Sequence, residues 1–135
     1  MARLTRRWLE SFDWELVTEI NRGLCQQKNA LHKPTSDGHA PAKSLWQQNQ
    51  PKELTLTEAI EICLKCHKLA PFCFYNGNTF AAIARDFIAE MSKDISPDKA
   101  HILRSIAGHI VAGTATNVER KQLEEMLSGS LQQKS

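Results

Sequence analysis

Residues 54–71, LTLTEAIEICLKCHKLAP, constrain this chain more than any other stretch. Thr55-Leu-Thr-Glu58 is a capping-box pattern: the threonine hydroxyl accepts the orphan N–H three residues on, and the glutamate reaches back to the threonine N–H. The helix it opens is predicted to run to about Leu69, because Pro71 disfavours helical backbone in the residue before it. Glu58, Glu61, Lys65 and Lys68 make one narrow polar stripe, and nearly everything else is apolar. A helix apolar over most of its circumference has to be surrounded by protein. It is therefore expected to be the central helix.

Three more helices follow from local signals. Asn78 or Thr79 is expected to cap one over roughly 79–92, with Phe80, Ile83, Phe87 and Met91 as its core stripe. Ser96-Pro97-Asp98 supplies a cap, a proline at the first helical position and an acid in the first turn. That helix turns Leu103, Ile106, Ile110 and Val111 inward and stops at Gly113. Thr116-Asn-Val-Glu119 is a second capping box, opening a last helix to about Leu127, with 129–135 expected to be a disordered tail. Short connections between four helices predict an all-α antiparallel bundle over 54–128. A hairpin on Asn76-Gly77 is the competing local structure. The phrase VAGTATNVERKQLEEML resembles the short helical hairpins at the start of some anti-sigma regulators, over too little of the chain to carry a function.

The N-terminal part reads differently. Leu4, Trp8, Phe12, Leu16, Ile20 and Leu24 recur at every fourth position, predicting a helical arm over 1–25. Asp13 offers a cap for a fresh start within it, and Gly23 a stop. Trp8, Phe12 and Trp14 carry more aromatic surface than such an arm buries alone, so they are expected to dock on the core or on another subunit. Residues 26–53 hold three of the five prolines and five glutamines. They are expected to form a polar linker or extended arm, with one or two helical turns over Ala42 to Gln48 anchored by Leu45 and Trp46, and with His32 and His39 solvated.

Composition narrows the class. With 135 residues, 41% hydrophobic and 24% charged, the chain is sized for one globular core. A net charge of +2 is too balanced for a protein that grips phosphate backbone, and NVERKQLEEML would repel it as a recognition helix. Nucleic acid is not expected as a partner on these grounds. No apolar run has membrane-spanning length and no secretory h-region is present, so a cytoplasmic location with reduced cysteines is expected.

Chemistry-bearing residues concentrate in CLKCHKLAPFC. Cys63-Leu-Lys-Cys66-His67 matches the haem c attachment string, and with Cys73 it offers four zinc-type donors within eleven residues. Both cysteines of the pair fall inside the apolar helix, so the leading expectation is thiols packed as small apolar side chains, with no cofactor. Zinc or haem held by Cys63, Cys66, His67 and Cys73 is the alternative. No Gly-rich phosphate loop or nucleophile elbow is present, and no catalytic residue is assigned. Phe72, Phe74 and Tyr75, with Asn76 and Asn78, are candidates for an interaction surface or pocket, as are Trp8, Phe12 and Trp14. The expected function is that of a small interaction or regulatory protein, self-associating as a homodimer. A metal- or haem-binding protein and a weak nucleic-acid module are the alternatives.

Overall fold

The computed structural model describes residues 5–91 and 93–133, with side chains over 5–91 and 93–127. The chain runs β1 (Thr5–Arg6), α1 (Trp14–Gln27), α2 (His39–Asn49), β2 (Leu54–Thr55), α3 (Leu56–Leu69), α4 (Asn76–Met91), α5 (Pro97–Ala112) and α6 (Asn117–Gln133). It is mostly helical, with six helices among the described residues. No helix among them is long and apolar enough to cross a membrane.

The local signals act where they stand. Thr55 Oγ1 accepts from the Glu58 N–H at 3.1 Å, and the Glu58 carboxylate accepts from the Thr55 N–H at 2.8 Å. α3 then packs against α2, α4 and α5, and Ile60, Cys63 and Cys66 are fully enclosed. Ser96 caps α5 through the Lys99 N–H, and Gly113 ends it in left-handed backbone at φ +80°. Thr116 and Glu119 close the second capping box at 3.1 and 3.2 Å. α6 is tied to α3 by Thr57, which donates to Glu124 at 2.7 Å, and by an Arg120–Glu61 ion pair. Its helical backbone reaches Gln133, past the expected end near Leu127 and through most of the expected tail. Residues 134 and 135 lie outside the described part.

The first 25 residues are not one helix. Leu4 lies outside the described residues, and β1 pairs antiparallel with β2, Thr5 opposite Thr55 and Arg6 opposite Leu54. Turns follow, closed by Glu10 N–H to Arg7 O and Phe12 N–H to Leu9 O, both 3.1 Å. Asp13 does cap α1, accepting from the Leu16 N–H at 2.8 Å. Gly23 does not stop it. One turn beyond Asn21, Cys25 is buried and keeps the helix on the core. The reversal comes at Asn29, at φ +54°.

Residues 26–53 carry a helix with one face docked on the core, where a linker or extended arm was expected. In α2, Ala42 and Trp46 are wholly enclosed, and Trp46 Nε1 donates to Phe12 O at 2.6 Å. Pro41 sits in the first turn, where a backbone N–H has no helical partner to lose. One apolar cluster draws residues from 1–25, 26–53 and 54–128 alike. Trp8 and Phe12 both meet Phe87, at ring distances of 5.7 and 5.6 Å.

Candidate functional site

The α3–α4 connection holds two of the three left-handed non-glycine residues among the described residues. Ala70 ends α3 at φ +51° and Tyr75 precedes α4 at φ +61°. Each left-handed non-glycine residue costs about 1–2 kcal/mol, so the surrounding contacts must hold the loop. Asn76 supplies one clamp: its Oδ1 accepts from the Phe72 N–H at 2.9 Å and its Nδ2 donates to Phe72 O at 2.6 Å. Asn76 is therefore the first residue of α4, not the corner of a hairpin. Neither Asn78 nor Thr79 caps that helix, because both already lie in its first turn.

A second clamp is Asn21 of α1, fully buried. Its Nδ2 donates to Phe74 O at 2.8 Å and to Thr79 Oγ1 at 3.0 Å. Its Oδ1 receives the Cys25 thiol at 3.6 Å and faces His32 Nδ1 at 2.9 Å. Both donors of the amide are thus used, which makes Oδ1 the acceptor and puts a proton on His32 Nδ1. Thr79 Oγ1 passes its own hydrogen to Tyr75 O at 2.7 Å.

Phe72 is the plug. It is 1% exposed, stacked on Trp14 at 6.0 Å and on His32 at 5.7 Å, with His39 edge-on at 5.9 Å. His39 Nε2 accepts from Trp14 Nε1 at 3.3 Å, so this imidazole is neutral at that nitrogen. Burial lowers the pKa of both histidines, assisted by Arg22 near His32 and by Lys43 near His39. Neither is a solvated side chain. The 32–35 strip runs beside 71–73, with Cys73 N–H on Lys33 O at 3.0 Å.

The expected surface candidates therefore separate. Trp8, Phe12, Trp14 and Phe72 are buried in the chain's own core. Phe74 is 49% exposed, and Leu31, beside His32, is 59% exposed. Tyr75, Asn76 and Asn78 line a cleft of about 730 Å³ that continues between α4 and α5. His67 closes one end of it, its Nδ1 donating to Val111 O at 2.6 Å.

The cysteines separate as well. Cys63 and Cys66 are sealed, and Cys66 Sγ donates to Ala42 O at 3.7 Å. Burial pushes the Cys63 thiol well above its ordinary pKa and that of Cys66 up to about 12. His67 turns to α5, while Cys73 is exposed on the loop. Among the described residues, no three Cys, His, Asp or Glu side chains converge as a donor set.

Sequence reasoning passed over Asn21 and read His32 and His39 as solvated. The signal for Asn21 was available: a poor helix former one turn from Val17 and one turn from Cys25, both buried. Comparison with protein-family models, curated proteins and solved structures finds no match.

Proposed function

We propose that the chain is a small helical interaction protein of regulatory or accessory kind, acting as a cytoplasmic homodimer on an antiparallel bundle of α3 to α6, with no catalytic site of its own. The observation that carries this reading is the Asn21 anchor. One buried amide binds both His32 and the Phe74 carbonyl, and beside those two points stand Leu31 and Phe74, large apolar side chains left in water. Loops that only connect helices do not need two left-handed residues and two side-chain clamps. Holding an exposed aromatic rigidly lowers the entropy cost of docking on it. A two-fold interface would set the same face of a second copy against it.

Benzoyl-phenylalanine placed at position 74 tests this. Irradiation is expected to give a covalent species of twice 15.2 kDa, with adducts mapping to residues 31–33 and 72–75. A product that stays monomeric, or adducts scattered over the surface, contradicts it.

A further inference from the structure

The groove along the α4–α5 seam goes beyond self-association. We propose that it docks an acidic peptide segment of a partner protein, one side-chain carboxylate seated against Arg85 and an adjoining apolar side chain against Leu24 and Tyr75.

The groove's volume, about 730 Å³, is in the range that receives a few side chains or a small ligand. Its floor is built from Gly77, Ala81 and Gly108, residues with little or no side chain, so a visiting backbone approaches closely. Its charge is of one sign. Arg85 lines it and no acidic residue does. Three other arginines are engaged: Arg22 with Glu19, Arg120 with Glu61, and Arg6 over the Trp8 ring. Among the described residues none hydrogen-bonds to or pairs with the Arg85 guanidinium.

That guanidinium has a fixed bed. It lies on Gly108, where an added Cβ would stand 2.9 Å from one terminal nitrogen. A glycine inside a helix costs about 1 kcal/mol relative to alanine, and the room it leaves is filled by the guanidinium. At the other end the His67 ring stands over Gly77, with Nε2 3.2 Å from where a Cβ would be. A planar fork of N–H donors matches a carboxylate bidentately. Charge complementarity thus selects an acidic side chain.

The test is an amide-shift titration of the full chain with three acetylated probes. They are acetyl-Leu-Glu-Phe-amide, its Gln counterpart, and acetyl-Leu-Phe with a free terminal carboxylate. The Glu probe is expected to shift the amides of Gly77, Ala81, Gly108 and Ala112 and to bind about three- to fivefold tighter than the Gln probe, as one exposed bidentate ion pair supplies. Arg85→Gln, at an exposed position that leaves the fold intact, should erase that difference. Gly108→Ala should weaken the Glu probe too, by displacing the guanidinium, without lowering the melting temperature. Equal binding of the Glu and Gln probes, shifts outside the groove, an unchanged affinity in Arg85→Gln, or tighter binding of the terminal carboxylate each overturns the assignment. A dimer that ignores the probes defeats this inference alone; a monomer that binds the Glu probe defeats the self-association reading alone.

Discussion

Asn21 Nδ2 donates to Thr79 Oγ1 at 3.0 Å, between two residues that are both fully closed to water. This contact joins α1 to the first turn of α4, and the same amide reaches the two strips of chain that frame the α3–α4 loop. A buried amide with all its bonds made specifies a single arrangement, because any shift strands a polar group in a dry place.

Asn21→Ala is accordingly expected to cost about 2–4 kcal/mol in urea unfolding, since it orphans buried partners as well as deleting bonds. Thr79→Val should cost about 1–2 kcal/mol by the same argument. A loss below half a kcal/mol in Asn21→Ala would remove the anchor from the account.

Two of the three buried tryptophans, Trp8 and Trp46, make a contrasting pair. Trp46 Nε1 bonds Phe12 O, whereas Trp8 Nε1 is buried with no acceptor among the described residues. Trp46→Phe should therefore cost about 2–3 kcal/mol, combining a lost bond with a small cavity. Trp8→Phe should cost under about 1 kcal/mol, because it also removes an unsatisfied donor. Chemical denaturation of the two variants side by side checks the order.

Thiol chemistry should follow burial. Cys25, Cys63 and Cys66 are buried and Cys73 is exposed. Ellman's reagent is expected to titrate Cys73 promptly in the native protein and the other three only after denaturation. Rapid reaction of the Cys63–Cys66 pair would overturn the reading of these thiols as packing material.

Acid should loosen the Phe72 plug. Both His32 and His39 have pKa values lowered from 6.5 by burial, so the unfolded chain takes up protons first as pH falls. Their contribution is fully present above pH 6.5 and is lost as pH drops through the lowered folded-state values. Protonation of His39 also removes the acceptor used by Trp14. Melting temperature is expected to fall from pH 7 towards pH 5, with a shallower slope in a His32→Gln/His39→Gln variant. Equal slopes would contradict the assignment.

Much of the second half was legible because its signals are local. Thr55, Ser96, Gly113 and Thr116 fix helix ends through bonds within a few residues of themselves. The N-terminal half was misread for a geometric reason. Apolar residues at every fourth position turn about 40° per step round a helix, so a stripe of six cannot line one face. The chain breaks at Asp13 and sends Trp8 and Phe12 to Phe87 instead. α2 was legible only as a turn or two over 42–48, because its full length and its place depend on Trp46 finding Phe12 and Phe80, contacts that no local pattern announces. The candidate site was half visible: the cluster 72–78 stood out by composition, but its anchor is 53 positions away from Phe74, at Asn21.

Sedimentation velocity over a hundredfold range of concentration, with the unmodified chain run beside Phe74→Asp, tests the interaction face most directly. The account predicts a dimer that dissociates only on dilution, and a variant that is monomeric throughout while keeping the same helical circular dichroism and melting temperature. A monomer at every concentration, or a dimer untouched by the aspartate, would contradict it.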